Sequence, residues 1–537
     1  MRPHAPSRIT RPATALTALL TAGVVLFSGC SSSDSSGSSG AGSGGTLTFA
    51  VGSDMGCVDP QQVGSNDTIY SVRQIVDSLT DQDPDTGEIV PWLAEKWEIS
   101  PDSTTFTFHL RKGVTFSDGS ALTAQVVKDN FDAVPRLGAL GVLAKGYLNG
   151  VKATTVVDPL TVRVTFEQPN AQFLQATSTH SLGIASSASV KKTPERKCAE
   201  GIVGSGPFVL SKYVPSQSIT LAKRTGYAWG SPRWSKDGEA YLDKIVFKVV
   251  PESGVRTGSL QSGQVDAIGS VGKADEAALE AAGVNLIHRA NPGVVFNLGL
   301  NNANPILRDL KVRQAIQVAV DRQQIVDTIF PTGTKAATSI LSHTTPHYTA
   351  APGLDYDQAK AKSLLDAAGW RPGGDGIRVK GGTKLRLNVF WFANAATNQP
   401  TLELIQQQLK AVGIDVVLQQ RQIAQFAEIL QGGKFDALWG NLTRADPDIL
   451  RTQYSTKGLN SYRLPVGPLD DVLSRQAAAA DDAQRKQLVA QAQQLITENA
   501  YVVPVVELET ELGVGKNVKD LDFDASSRIQ LHDTRIG

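Results

Sequence analysis

Cysteine is scarce in this chain, with three in 537 residues, and methionine scarcer, with two. So few thiols exclude a disulfide-dense scaffold and a cysteine-rich zinc site. Net charge is absent as well: 52 basic side chains balance 52 acidic ones. No basic run stands out, which argues against nucleic acid or an acidic lipid surface as the main partner. The seven histidines are scattered; His343 and His347 are four apart, but Pro346 opposes the helix that would align them and suggests a loop. No metal or cofactor is expected. After Gly45 no apolar run approaches the 18 or more residues of a transmembrane helix. There is no Gly-x-x-x-x-Gly-Lys-Ser/Thr phosphate loop, no nucleophile elbow and no His-Glu-x-x-His, so an ATPase or a hydrolase has no motif to rest on.

What the chain does contain begins at its start. Arg2, Arg8 and Arg11 precede an apolar stretch at 13–27 that closes on Ser28-Gly29-Cys30. A basic start, a short apolar core and small residues at the exit form an export signal. Cys30 at that exit resembles the lipobox of bacterial lipoproteins, with Phe27 where the pattern has leucine. The resemblance implies that residues 1–29 are removed, that Cys30 is lipidated and that the protein is anchored outside the cell on its membrane. The alternative is an ordinary secretory signal that leaves Cys30 free. Residues 31–45 hold 8 Ser and 5 Gly, a flexible linker spanning roughly 20 Å. The remaining chain is slightly acidic, and too long for one ordinary core. In an exported protein, Cys57 and Cys198 are expected to form a disulfide.

Leu47, Phe49 and Val51 alternate as a first strand, and Phe106, Phe108 and Leu110 as another. Thr123 is placed to cap a helix bearing Val126, Val127 and Phe131. Asp309 opens a helical pair through Phe330; Asp357 opens a helix ending at Gly369, and Asp481 a long one ending at Asn499. Leu385, Leu387, Val389 and Trp391 alternate; Leu402, Ile405, Leu409 and Val412 follow helical spacing; Ile414, Val416 and Leu418 alternate again. The expected class is α/β, with strands and helices interleaved in both halves.

The run from Trp92 to Phe131 contains Leu93-Ala94-Glu95-Lys96-Trp97, Phe108-His109-Leu110-Arg111-Lys112-Gly113, Phe116-Ser117-Asp118-Gly119 and Thr123-Ala124. Later come Gly204-Ser205-Gly206-Pro207-Phe208, Tyr227-Ala228-Trp229-Gly230, Leu260 to Asp266, Val312-Arg313-Gln314-Ala315, Ala368-Gly369-Trp370 and Asp446-Pro447-Asp448. In this order the segments resemble the family 5 solute-binding proteins of ABC importers, the dipeptide, oligopeptide and nickel type. The resemblance covers roughly residues 46–510.

It implies a two-lobe periplasmic-binding-protein fold of type II, cluster C, with an extra sub-domain in lobe I. Lobe I is expected at 46–295 with the insertion at about 60–195, lobe II at 296–503, and a C-terminal return to lobe I at 504–537. The crossings are placed near 296–301 and 503–506. It also implies a monomeric binding protein, not an enzyme, that delivers an oligopeptide or peptide-like solute to an ABC permease. A nickel complex, an opine or an oligosaccharide are the alternatives, as is a receptor that senses its solute without transport. Met55 and Gly56, after the first strand, and Trp439, Asn441, Thr443 and Arg444 are expected at the ligand, with Trp391, Phe392 and Trp439 offering stacking surface or, alternatively, packing in the core. In the peptide-binding members an Asp before the Asp/Glu-Pro pair holds the peptide ammonium. Here Thr443 takes that place and Arg444 stands beside it, a planar donor suited to a carboxylate or phosphate; the alternative is a surface arginine salt-bridged to Asp446 or Asp448.

Overall fold

Helix starts follow the caps read from the sequence. In the computed structural model the side chains of Asp309, Asp321, Asp357 and Asp481 accept from backbone N–H groups two or three residues on. These cap the helices Leu310–Ala319, Arg322–Ile329, Gln358–Ala367 and Asp482–Glu498. Thr123 caps Ala124–Ala133 in the same way. The structure describes residues 44–137, 140–392, 395–422 and 425–537, all within one unit, 42–537. The expected export signal, Cys30 and nearly all of the Ser/Gly segment lie outside the described residues. No helix among the described residues is long and apolar enough to cross a membrane.

A seven-stranded sheet has Thr46–Val51 in its middle, parallel to Lys244–Val249 on one side and to Ala267–Gly269 on the other. Its far edge carries Glu509–Val514 and Asn285–Ala290. A four-stranded sheet, Ala94–Ile99, Thr105–Leu110, Thr161–Phe166 and Val151–Asp158, has its own core around Phe106, Phe108, Phe131 and Phe173. The third body is a five-stranded sheet, in the order Asp415–Arg421, Arg386–Phe392, Ala437–Thr443, Gly293–Leu300, Val502–Val506. Both its faces are buried. Leu387, Val389 and Trp391 enter one core while Phe390 and Phe392 enter the other, as strand alternation requires.

The Gly293–Leu300 and Val502–Val506 strands belong to the five-stranded sheet, and their neighbours Asn285–Ala290 and Glu509–Val514 to the seven-stranded one. The chain therefore crosses at 291–292 and 507–508, a few residues away from the expected 296–301 and 503–506. The displaced stretches are fully buried strand residues rather than connectors. The two crossings lie side by side, Asn291 N donating to Leu508 O at 2.8 Å.

Two of the quoted motifs meet around one buried acid. Asp77 accepts from Trp229 Nε1 at 2.9 Å and Tyr227 Oη at 3.2 Å, and its own N–H donates to Ser205 Oγ at 3.3 Å. Burial pushes its carboxyl up to about 6, against those hydrogen bonds. Gly204 and Gly206 let the chain press on the Ile75 backbone: a Cβ on Gly204 would lie 1.7 Å from the Ile75 carbonyl oxygen. Backbone cannot retreat as a flexible side chain can. Gly204→Ala is expected to cost about 3 kcal/mol or more, the upper end for overpacking. Gly258→Ala, on a helix with open space around it, should instead gain about 0.5–1 kcal/mol. Denaturant unfolding of the two variants checks both; equal stabilities would refute the packing account.

Candidate ligand-binding cleft

Gly293 begins the site. Its φ of +112° suits glycine, and a Cβ there would stand 2.3 Å from the Leu442 carbonyl oxygen. This close approach draws the end of the Ala437–Thr443 strand against the first crossing, where Arg444 N donates to Pro292 O at 3.0 Å. A register shift between Val294 and Asn297 interrupts the pairing of the two strands, and Asn297 Nδ2 reaches Gly440 O at 3.1 Å. Beside this strand end opens a cavity of about 880 Å³, within the usual size of small-molecule sites.

One wall of the cavity is the strand end with residues 451–462 and 474–477; the other is the segment 143–172 of the four-stranded-sheet body. Arg444 joins them. Its Nη1 donates to Gln172 Oε1 at 3.2 Å on the far wall and to Thr452 Oγ1 at 3.0 Å on its own. The guanidinium also sits 4.8 Å over the Tyr147 ring. Burial pushes the Tyr147 hydroxyl up, and Arg444 works against that.

Arg444 is only 5% exposed, yet its hydrogen bonds and its ring contact are all to neutral groups. The carboxylates that follow it have other partners. Asp446 takes a two-pronged bond from Arg485, at 3.0 and 2.6 Å, and Asp448 one from Arg451, at 2.8 and 2.6 Å. Burial raises the Asp446 carboxyl, but Arg485, the Asp448 N–H and the nearby charge of Arg444 together outweigh it, so the net displacement is below the usual carboxylate range. Among the described residues the cavity lining includes Lys145, Arg444, Arg451 and Lys457 and no aspartate or glutamate. The site suits a guest carrying negative charge and hydrogen-bonding groups.

Trp439, Asn441, Thr443 and Arg444 line this cavity. Trp439 is nearly buried, stacked 5.2 Å from Phe296 and donating to Asn398 Oδ1 at 2.9 Å. Trp391 and Phe392 lie in the cores on either side of their strand and do not line it. Met55 and Gly56 are also outside the lining. Met55 is 49% exposed, with its sulfur accepting from Gly64 N and Ser65 N. The sequence reading missed Asn149, Gln168, Asn170 and Gln172, which line the far wall. Their stretch has no distinguishing pattern, and Gln172 meets Arg444 across 272 residues of chain.

Two lobes with a charged, part-apolar cleft between them define a receptor that encloses a small solute. Residues 88–461 match the family model described as "Bacterial extracellular solute-binding proteins, family 5 Middle", and the chain belongs to that family. Its members are extracytoplasmic binding proteins rather than enzymes. The chain is 24% identical over 477 residues to the nickel-binding periplasmic protein of Escherichia coli (strain K12), covering 86% of this chain and 88% of that protein. It is 28% identical over 390 residues to the glutathione-binding protein GsiB of Salmonella paratyphi A, covering 72% and 71%. Among solved structures, NikA from Brucella suis in complex with Fe(III)-EDTA superposes with a TM-score of 0.80 at 24% identity, over 92% of this chain and 100% of that one.

Proposed function

We propose that the protein is the lipid-anchored receptor of an ABC importer, and that its solute is a peptide-like molecule presenting a carboxylate or phosphate to Arg444. The observation that carries this reading is the cleft's set of basic side chains with no carboxylate among its described lining residues. A buried guanidinium held by neutral partners gains most from a planar anion, through two parallel charge-assisted bonds. The ammonium of a free peptide N-terminus has no carboxylate partner among the described lining residues, with Thr443 in place of the acid. Glutathione and Fe(III)-EDTA, named with two of the similar proteins, both carry carboxylates. A chelated nickel ion is the alternative on the same cleft.

In this reading Cys30 carries the lipid, the Ser/Gly linker gives reach over the membrane, and the mature protein acts as a monomer. The lobes close about the paired crossings at 291–292 and 507–508. A guest touching both walls favours the closed form, since only differential affinity shifts such an equilibrium.

Mass spectrometry of the compound that co-purifies with the protein, followed by calorimetric titration with it, tests the proposal. The guest is expected to carry an anionic group. Arg444→Met is expected to weaken its binding roughly tenfold to a hundredfold, the worth of one charged hydrogen-bond set. A purely cationic guest, or an affinity unchanged by the substitution, would sink the reading.

A further inference from the structure

Glutamates alternate along Glu507-Leu508-Glu509-Thr510-Glu511, and Glu509 and Glu511, in the strand Glu509–Val514, project from one face. Two of the three have donors. Glu507 accepts from Ser342 Oγ at 3.1 Å and lies 2.5 Å from His343 Nδ1; Glu509 accepts from Thr334 Oγ1 at 2.7 Å. Glu511 is 4% exposed, and no N–H or hydroxyl among the described residues donates to either of its carboxylate oxygens; its carboxyl neighbour is Glu276.

Directly across the antiparallel ladder from Glu511 is His288. Its Nδ1, buried and also without a hydrogen-bond partner, is 3.7 Å from Glu511 Oε1. The helix Lys273–Ala281 packs on this edge and contributes Glu276. One ligand atom from each of Glu276, His288 and Glu511 lies within 4.8 Å of the others. Thr332 orients the Glu276 carboxylate, donating from N at 2.8 Å and Oγ1 at 3.0 Å. Each of those oxygens keeps a lone pair free.

A buried carboxylate without a donor is costly, and a second carboxylate beside it makes the cost larger. Burial first, then Glu276 and Glu509, push the Glu511 carboxyl up to about 9. Nearby cations are engaged elsewhere: Lys335 with His343 Nε2, Arg289 with Asp85 and Pro84 O, and Lys273 with Asp327 O. A proton or an ion would supply positive charge at this point.

We propose that Glu276, His288 and Glu511 bind a divalent cation of the zinc class at the foot of the two crossing segments. One imidazole and two carboxylates form a donor set that zinc accepts, leaving a fourth position for water. Two tetrahedral zinc ligands at about 2.1 Å stand roughly 3.4 Å apart, close to the His288–Glu511 separation. Magnesium and calcium favour all-oxygen sets. The Thr332 bonds hold Glu276 as an outer shell holds a ligand. His288 also lines a cleft of about 370 Å³, together with Glu507 and Glu509. The site shares no residue with the solute cavity, so each can fail without the other.

The test is calorimetric titration of chelator-treated, full-length protein with zinc chloride, with metal analysis of the dialysed complex. One ion per chain is expected. Glu511→Gln and His288→Gln should each weaken binding at least tenfold, while Arg444→Met leaves it unchanged and magnesium does not compete. Circular dichroism reports whether each variant folds. If Glu511→Gln does not, His288→Gln decides, because that side chain is partly exposed. No stoichiometric uptake by the parent protein would overturn the proposal and leave a shared proton as the charge. An affinity identical in parent and both variants would overturn it equally, placing the ion elsewhere.

Discussion

Arg485→Met is expected to lower the free energy of unfolding by about 3–5 kcal/mol, the usual cost of stranding one member of a buried ion pair. Asp446 is 4% exposed, and it loses both guanidinium bonds when Arg485 goes. What would remain is the Asp448 N–H, at 2.8 Å, and the weaker attraction of Arg444. Joint replacement, Asp446→Leu with Arg485→Met, should recover much of the loss, because two apolar groups leave no unpaired charge behind. The effect depends on pH in one direction. The folded-state value of Asp446 lies below its ordinary one, so the stabilisation is complete above the ordinary carboxylate range and is lost as pH falls through the depressed value. With Arg485 gone, burial acts on Asp446 unopposed by that guanidinium and raises its carboxyl, so the gap between parent and Arg485→Met should be largest on the alkaline side of that raised value and shrink steadily in acid. Urea unfolding across that range measures it. A gap below about 1 kcal/mol at neutral pH would mean the pair contributes little.

The second large effect concerns the Cys57–Cys198 disulfide, which joins residues 141 positions apart. On the chain-entropy account, closing so long a loop stabilises the native state by up to about 5 kcal/mol at 25 °C. Cys57→Ser with Cys198→Ser should remove that amount while leaving the fold in place. A second tie survives at the same point: Lys197 Nζ is 2.9 Å from Asp59 Oδ2, both buried, and Val58 N donates to Cys198 O at 3.2 Å. These keep the segments aligned without the bond. Guanidinium unfolding of the double variant, beside the parent with and without reductant, reads the loss. A change under about 1 kcal/mol would show that the denatured chain was already constrained.

Elements governed by neighbours in sequence were legible. Asp309, Asp357 and Asp481 cap their helices because a short acceptor side chain reaches N–H groups two or three residues on, a contact needing no distant partner. Leu387, Val389 and Trp391 read as a strand because alternation is local. The same alternation could not say which aromatic faces a ligand. A strand buried on both sides reads alike whether its rings meet a core or a guest, and Trp391 and Phe392 meet cores.

Arg444 stood out through its neighbour Thr443, yet its partners Gln172 and Tyr147 come from the opposite wall, and nothing local marks them. The crossings at 291–292 and 507–508 escaped for a related reason, since each joins two strands with hardly a turn between them and only the pairing shows which sheet each strand enters.

By itself the sequence determined the interleaved α/β class, the capped helices, the family and the pairing of Cys57 with Cys198. Only the tertiary structure decided which side chains share the cleft, and that His288, Glu276 and Glu511 meet. Propensity and capping act over a few residues, whereas a binding site is assembled from loops whose closeness follows from how separate sheets pack.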